Sequence, residues 1–464
     1  MSSIFYGLNI ASNALKTQTA VLNITAHNIA NAETPGYSKQ NVIVTSIADD
    51  SSRGIRSSPT ISLGGGSQPM EVARSRFALY DAIWRKENED LNDFVKTQEL
   101  MNQIEVLFDE PSDRGMSKVI NDFFNGWQEV GNDPQNMAAR QSLRSFGEEL
   151  TTRLHRMNTQ LQILRQDLDT EIQTIPNQIN EVTGEIADLN VAIRASEGQG
   201  ASANDLRDKR DHLVDELSSD VDVRIVEQKD GTYTVLIGNQ VVVERDDHSL
   251  LHITAQVAEG ESYNRTVIRS DEGIQYNPER GKLGALMRFR DEHIPFIIDK
   301  LDTFTESLVN AVNYEHSFGY GLDGSTGLNF FDPQGTKAFN IQISNDIDEV
   351  QKIAASGDGS YGDNSNALLV HALLDQDVVE GKFTITEFYN SLVSTIGIMA
   401  RDANTGRMNE ELLVSQVDNA REGIKGVSID DELISMISAQ RIYQSAARLV
   451  SVLDSLFEEI IRLK

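Results

Sequence analysis

Residues 4–29 read IFYGLNIASNALKTQTAVLNITAHNI, and the spacing of their side chains predicts how the chain begins. Positions that alternate by three and four residues fall on one face of a helix, which predicts a heptad seam. The seam positions are Ile4, Leu8, Ala11, Leu15, Gln18, Leu22, Thr25 and Ile29. The opposite face carries Ser, Thr, Asn and Gln with hardly any charge, so we expect it to pack against other protein rather than water.

A turn signal follows this helix. The helix should end before Thr34-Pro35-Gly36-Tyr37, because proline disfavours helix in the residue before it and Pro-Gly suits the centre of a type II turn. Residues 40–46, QNVIVTS, alternate and predict a short strand. Residues 47–69 are rich in Ser, Gly and Pro, which predicts a loop or a loose hairpin that acts as a joint.

The last segment carries a second seam. It begins with the cap-like Ser428-Ile429-Asp430-Asp431 and continues to Lys464 without proline or glycine. Its stripe consists of Leu433, Met436, Ile437, Ala447, Val450, Leu453, Phe457, Ile460 and Ile461. The two terminal helices could reach roughly 39 Å and roughly 54 Å. An intramolecular helical hairpin and packing against other chains are both compatible with these stripes.

The middle of the chain changes period twice. Helical periodicity is present at 77–108, 114–130, 134–198 and 204–217, with Pro176 expected to interrupt the longest run, and again at 283–318, 364–375 and 384–422. Apolar and polar residues alternate in 221–225, 232–237 and 240–244, and an Asp-Gly turn and a Gly-Asn turn separate these three runs. Residues 264–270 could add a further strand. This pattern predicts a small β-meander inserted into a helical bundle.

The predicted fold class is therefore mainly α with an inserted β domain, in a nested multi-domain arrangement. The predicted domains are a terminal α-helical coiled coil from 1–46 with 426–464, a helical body from 47–220 with 281–425, and an inserted β domain at 221–280. Nesting of this kind predicts that both chain ends lie at one pole and the β insertion lies at the other.

Composition limits the partners. The 464 residues include 41 Lys and Arg against 71 Asp and Glu, a formal net charge of −30, so nucleic acid and anionic lipid should be repelled. There is no cysteine, which excludes disulfides, thiolate metal sites and cysteine nucleophiles. The first residues lack the pattern of a secretory signal peptide, and no run approaches the ~20 apolar residues of a membrane span. We expect neither a nucleic-acid nor a membrane partner.

No motif points to catalysis, a cofactor or a metal. The chain contains no GxSxG elbow, P-loop or GxGxxG. His248 and His252 have the i,i+4 spacing of a metal pair but lie beside a predicted strand, so we interpret them as loop histidines. The Gly-rich acidic loops 323–332 and 358–366 do not match a calcium-binding loop and are interpreted as turns. An enzyme whose catalytic domain is the 221–280 insertion is the alternative from another class, although that segment is short and poor in clustered polar residues.

Both ends of the chain resemble one known family. The run Ala30-Asn31-Ala32-Glu33-Thr34-Pro35-Gly36-Tyr37-Ser38-Lys39-Gln40, with residues 22–29 before it, is similar to the N-terminal signature of flagellar rod, hook and hook-associated axial proteins. Residues 427–433 and 439–447 resemble the C-terminal end of the same family. The helical middle and the segments 202–218 and 363–375 resemble its hook-associated protein 1 branch. No second β domain is evident after residue 320, which departs from that branch.

The resemblance implies a structural subunit that is exported by the flagellar type III apparatus, without a cleavable signal peptide, to the extracellular flagellum. It would form a ring of copies of itself at the junction between hook and filament. The partners would be the hook protein on one side, the next hook-associated protein on the other and an export chaperone. The alternative within the family is a hook, distal rod or filament-side axial protein.

The resemblance and the seams together nominate the residues of subunit packing. These are Leu8, Leu15, Leu22, Asn28, Asn31, Thr34, Pro35, Gly36, Tyr37, Leu433, Met436, Gln440, Tyr443, Ala447, Val450, Leu453 and Phe457. We expect the turn to fix where the terminal helix ends and the next layer begins, with the Asn side chains bonding neighbouring backbone. The alternative interpretation of the turn is an ordinary helix stop. No catalytic residue, metal ligand or cofactor is predicted.

Overall fold

The computed structural model describes residues 2–47, 64–110, 112, 115–257 and 263–462. The helices are α1 (Ser2–Ala30), α2 (Ala78–Phe108), α3 (Met116–Asn132), α4 (Met137–Glu197), α5 (Asn204–Asp220), α6 (Gly281–Arg288), α7 (Ile294–Phe318), α8 (Ser365–Ala372), α9 (Ile385–Lys425) and α10 (Ile429–Arg462). The strands are β1 (Gln40–Ser46), β2 (Ser67–Arg74), β3 (Val223–Glu227), β4 (Tyr233–Ile237), β5 (Gln240–Glu244), β6 (Asp247–His248), β7 (Leu251–Val257), β8 (Asn264–Ser270) and β9 (Gln275–Tyr276). The predicted class, mainly α with a small inserted β portion, is confirmed.

The first and last helices form an antiparallel hairpin. Phe5 on α1 packs edge-on against Phe457 on α10, with ring centroids 5.4 Å apart. At the other end of the hairpin, Asn28 of α1 reaches Glu432 of α10. The two helices thus run side by side over nearly the whole length of α1, which is the arrangement that matching seams favour.

A two-stranded ribbon packs against α1 of this hairpin. Strands β1 and β2 pair antiparallel with Gln40 opposite Arg74, so β1 matches the predicted strand. The amide of Asn13 on α1 donates to the Gly65 carbonyl at 3.2 Å, and the Thr17 hydroxyl donates to that of Ser67 at 3.1 Å. The predicted joint at 47–69 is thus a hairpin where it is described, and its residues 48–63 lie outside the described residues.

The helical body surrounds one apolar core. Its centre holds Phe123, Trp127 and Phe330, and the Trp127 and Phe330 rings lie 5.2 Å apart. The expected interruption at Pro176 is wrong, because α4 is one helix of 61 residues that passes through it. A proline inside a helix costs about 3 kcal/mol, and the buried Ile residues of α4 on both sides of Pro176 offset that cost by packing into the core.

The β insertion consists of two small antiparallel sheets, with strand orders β3-β4-β5-β6 and β7-β8-β9. The predicted meander is β3 to β5, and β8 is the optional fourth strand; β7, which pairs with β8, was not predicted. Asn180 of α4 bonds both main-chain groups of Leu251, and Asn190 of α4 bonds those of Tyr233.

The expected placement of the insertion at the far pole is wrong. The hydroxyl of Tyr233 on β4 donates to Asp211 of α5 at 2.7 Å, and Asp211 in turn binds Arg74 of the ribbon that leans on the terminal hairpin. The insertion lies beside α4 and α5 because β3 turns back along α5, where Arg207 pairs with Glu227 at 2.7 Å.

Candidate assembly interface

Asn28 is the centre of a closed hydrogen-bond system. Its side-chain nitrogen donates to the Gln40 carbonyl at 2.9 Å and to Glu432 Oε2 at 3.1 Å. Its oxygen accepts from the Tyr37 hydroxyl at 2.8 Å and from the Gln40 amide at 3.0 Å. All four bonds that an asparagine amide can make are therefore used, and the side chain is only 1% exposed. One residue ties α1 to the following turn, to β1 and to α10.

The turn after α1 has the geometry that its residues predict. The Tyr37 amide donates to the Thr34 carbonyl at 3.2 Å, and Gly36 has φ of 77°, the left-handed value that type II turns need at their third residue. A Cβ on Gly36 would lie 3.0 Å from Cβ of His212 on α5. Glycine is therefore needed here both for the backbone angle and for the close approach of α5.

The side chains of Tyr37 and Asn31 bond back to His27 at the end of α1. The His27 ring and the Tyr37 hydroxyl are 3.0 Å apart, and Asn31 donates to the His27 carbonyl at 3.0 Å. Burial, and after it the carboxylates of Asp205 and Asp208, raise the pKa of Tyr37 above its usual value, so the hydroxyl stays a donor.

The turn docks on the first half of α5. The Ser38 amide donates to Asp208 at 2.9 Å, and the Gln40 side chain donates to Asp205 at 2.7 Å. Asn204 donates to the Gln40 side-chain oxygen at 3.2 Å. We refer to Thr34-Pro35-Gly36-Tyr37 and the residues bonded to it as the signature turn. Residues 202–218, which resemble the hook-associated protein 1 branch, are thus the part of the body that binds the signature turn.

Below this contact lies a buried cluster of four arginines and four aspartates. It consists of Arg74, Arg76, Arg85 and Arg421 with Asp81, Asp208, Asp211 and Asp215, and we refer to it as the charge cluster. Burial alone would raise the pKa of Asp211, but the charges of nearby arginines, Arg76 and Arg74 foremost, hold it well below its usual range. The cluster joins β2, α2, α5 and α9 directly under the terminal hairpin.

The charge cluster was missed from the sequence. One available signal was the spacing of Asp208, Asp211 and Asp215, which places three carboxylates on one face of α5. The other was the pair of arginines at the end of the ribbon. Either set alone is typical of a solvated surface, and only the fold brings them together.

The predicted seam residues divide into two groups. Leu8, Leu15, Leu22, Met436, Val450, Leu453 and Phe457 are half-buried, and Leu453 and Phe457 lie against Gly7 and Phe5 of α1. Leu433, Gln440, Tyr443 and Ala447 are exposed, and the buried alanines of α10 are Ala439 and Ala446. The predicted C-terminal stripe therefore mixes the face that packs on α1 with faces that the chain itself leaves uncovered.

A second apolar stripe lies on α10 beside that seam. We refer to Ile442, Leu449, Val452 and Leu456 as the outer stripe. The first, second and fourth recur every seven residues, and Val452, the most exposed of the four at 56%, follows Leu449 by three. Heptad spacing of exposed aliphatic side chains is typical of a helix that packs against two helices at once.

Other candidate sites carry less. His248 and His252 lie on separate strands, and His252 pairs with Asp271 at 2.7 Å. In the part of the chain that the structure describes, no group of three or more His, Asp or Glu side chains could hold a metal ion. No helix among the same residues is long and apolar enough to cross a membrane.

Comparison with known proteins identifies the family. Residues 101–331 match the profile described as the flagellar hook-associated protein FlgK helical domain. Residues 8–37 match the flagella basal body rod protein profile, and 424–463 match the C-terminal profile of the basal body rod FlgEFG proteins. The flagellar hook-associated protein 1 of Bacillus subtilis (strain 168) is 28% identical, with 99% of this chain and 98% of that protein covered. The chain belongs to the flagellar hook-associated protein 1 family.

Further relatives agree with this membership. The flagellar hook-associated protein 1 of Salmonella typhimurium is 22% identical over the full length of both chains. The solved structure of the flagellar hook junction protein FlgK from Burkholderia pseudomallei has the same fold, with a TM-score of 0.64 at 16% identity. That likeness covers 76% of this chain and all of the other. The hook-associated protein 1 fold thus extends to a chain with little sequence identity.

Proposed function

We propose that this chain is a structural subunit of the bacterial flagellum that forms the junction between hook and filament. The observation that carries the proposal is the terminal hairpin, in which the signature turn is bonded into the body while the outer stripe stays exposed. The relatives that match over their full length bear the name flagellar hook-associated protein 1, and the Burkholderia pseudomallei neighbour is described as a hook junction protein.

The exposed outer stripe supports assembly with other chains. Four aliphatic side chains at heptad spacing on a helix that already packs against α1 expose apolar surface that a neighbouring helix would bury. As a family member the chain associates with other flagellar axial components. We propose that its partners are further copies in a ring, the hook protein on one side, the next hook-associated protein on the other, and an export chaperone before assembly.

The arrangement also supports a division of labour along the chain. We propose that residues 1–46 with 426–464 pack between subunits, that 47–220 with 281–425 form the body, and that 221–280 form the outer β unit. The seventeen residues nominated from the sequence belong to the first of these, where Asn28 would align the hairpin within the chain and the exposed seam residues would contact neighbouring subunits. Export through the flagellar type III apparatus to an extracellular position completes the proposal, and no catalytic role is assigned.

Deletion of the gene tests the proposed role. Cells would be examined by electron microscopy, and flagellin would be measured in the medium. Bare hooks with released flagellin support the junction role. Missing hooks would instead place the protein in the rod or hook, and intact working filaments would contradict the proposal.

A pair of variants tests the outer stripe. Val452→Asp places a charge on an exposed position, so the isolated chain should fold normally but fail to restore filaments in the deletion strain. Ser455→Asp makes the same charge change on the polar side of α10 and should restore them. Full restoration by Val452→Asp would show that the outer stripe is not an interface.

A further inference from the structure

The chain passes between the helical body and the β insertion at two adjacent places. Residues 220–222 lead from α5 into β3, and residues 277–281 lead from β9 into α6. A Cβ on Gly281, which has φ of 73°, would lie 2.6 Å from the main chain of Asp220 and Val221. The two connections therefore touch, and together they form a joint about which the insertion is attached.

Glu89 of α2 lies directly against this joint. The Val223 amide donates to its Oε1 at 2.7 Å, and Glu89 is only 7% exposed. Among the described residues no cation forms an ion pair with Glu89, and the nearby Lys86 pairs with Glu87 and Asp90 instead. Burial without a cation favours the protonated form of a carboxyl group.

Two further polar atoms are enclosed beside Glu89. Tyr276, at the end of β9, is 2% exposed, and its hydroxyl has no hydrogen-bond partner among the described residues. Oδ1 of Asp222 in the first connection is also buried and has no hydrogen-bond partner among the described residues. The main-chain carbonyl of Asp222 accepts from the Gly238 amide at 3.1 Å. After burial, the charges of Asp222 and Glu89 raise the pKa of Tyr276, so the three groups interact.

The surrounding charges do not neutralise Glu89. Those on the elements packed around it are Arg85, Lys86, Glu87 and Asp90 on α2, Asp220 and Asp222 in the first connection, Arg224 on β3, Glu279 and Arg280 in the second connection, Lys282 on α6 and Glu410 on α9. Arg280 binds Asp90 at 3.2 Å, and Lys282 binds Glu171 at 2.9 Å. Arg85 binds Asp215 at 2.6 Å, and Arg224 is exposed on β3, so none of these cations forms an ion pair with Glu89 among the described residues.

We propose that Glu89 is a proton-controlled latch that holds the start of the β insertion, at Val223, against α2. With its proton the carboxyl accepts the Val223 amide and the joint is closed, as in the structure. Loss of the proton leaves a buried carboxylate facing Asp222, and moving the connection away from α2 relieves both the burial and the repulsion. Burial first, and after it the charges of Asp222 and Asp90, raise the pKa of Glu89 to about 8 against the opposing effect of the Val223 amide, and this value sets the pH range in which the latch works. The inference concerns the isolated chain and does not depend on the proposed role at the junction.

Distance measurement between two spin labels tests the latch. The chain has no cysteine, so Gln103→Cys at an exposed position of α2 and Lys229→Cys at an exposed position of the β3-β4 turn give unique label sites. The labelled chain should show one narrow distance distribution at pH 6.5 and a shifted or broadened one at pH 9.5, with a midpoint near pH 8. Glu89→Gln keeps the acceptor for Val223 but cannot ionise, so its distribution should stay narrow throughout.

The control is Glu105→Gln, the same change at an exposed position of α2, which should retain the transition of the unmodified chain. An unmodified chain whose distribution is identical at pH 6.5 and 9.5 overturns the proposal. A Glu89→Gln chain that still undergoes the transition overturns it equally, because the proton would then reside elsewhere.

Discussion

Asn28 and Glu432 are 404 residues apart in sequence, and their side chains meet at 3.1 Å inside the protein. Glu432 also binds Lys39 at 2.8 Å. The residue of α10 that bonds to α1 is therefore also bonded to the segment that follows α1. A buried polar contact of this kind fixes the register of two helices more strictly than alternating aliphatic residues do. The terminal hairpin is therefore aligned at its inner end by hydrogen bonds, and the aliphatic seam extends outward from there.

Replacement of Asn28 by alanine should release this inner end. The change leaves the Gln40 amide and Glu432 without their buried partner, and we expect the docking of α1 to weaken by roughly 2–4 kcal/mol. Hydrogen exchange should accelerate in α1 and β1 while α4 stays protected. Asn23→Ala, at an exposed position of α1, serves as the control and should change neither. Unchanged protection of α1 in the Asn28 variant would contradict the role of this residue.

Gly36 in the signature turn and Gly200 after α4 allow the cost of backbone strain to be distinguished from the cost of a close contact. Gly36→Ala and Gly200→Ala both place a side chain at positive φ, which costs about 1–2 kcal/mol each. Only Gly36 has a neighbour, His212, within contact distance of the new Cβ; nothing lies within 4 Å at Gly200. Urea unfolding should therefore show a larger loss of stability for Gly36→Ala. Equal losses would mean that the turn has room to move away from α5.

Arg421→Met should be strongly destabilising, because it removes one of the two arginines that bind each of two buried carboxylates and leaves the charge cluster with four carboxylates against three cations. Arg421 binds Asp81 at 2.8 Å and Asp215 at 2.6 Å, and breaking a buried pair typically costs about 3–5 kcal/mol. Arg407→Met is the matched change on the same helix. Its partner Glu411 is mostly exposed, so the loss should stay below about 1 kcal/mol. Similar unfolding free energies for the two variants would show that the charge cluster tolerates the loss of one cation.

The sequence predicted the elements well where periodicity is regular. The first helix, the strand at 40–46, the turn at Pro35 and the body helices follow from spacing and from turn residues, which act locally. The helix through Pro176 was not predictable, since the packing that offsets a proline comes from residues distant in sequence. The placement of the β insertion failed for a related reason. Nesting orders the layers but does not say in which direction β3 leaves α5.

The candidate interface was predictable only in part. The signature turn was found because its residues are contiguous, and Asn28 was nominated with it. The partner of Asn28 could not be identified, since Glu432 is one acid among three consecutive ones in the first turn of α10. The charge cluster and the outer stripe depend on which faces pack. Ala446 and Ala447 differ by one position, yet one is buried and the other exposed, and periodicity with scattered small residues does not resolve such a step.

A buried histidine in the body predicts how acid affects stability. His316 is fully buried, its Nδ1 lies 2.7 Å from the Leu328 carbonyl, and its Nε2 accepts from the Ala354 amide at 3.0 Å. The bond to Nε2 requires the neutral ring, and burial lowers the pKa of His316 to about 4. Between pH 6.5 and pH 4 the unfolded chain binds the proton that the folded chain excludes. This contribution is therefore complete above pH 6.5 and falls as the pH is lowered, by up to roughly 3 kcal/mol. Urea unfolding from pH 7 to pH 4 should give a smaller decrease for His316→Gln than for the unmodified chain, since glutamine does not titrate. Parallel pH profiles for the two chains would show that the acid sensitivity of the body does not originate in His316.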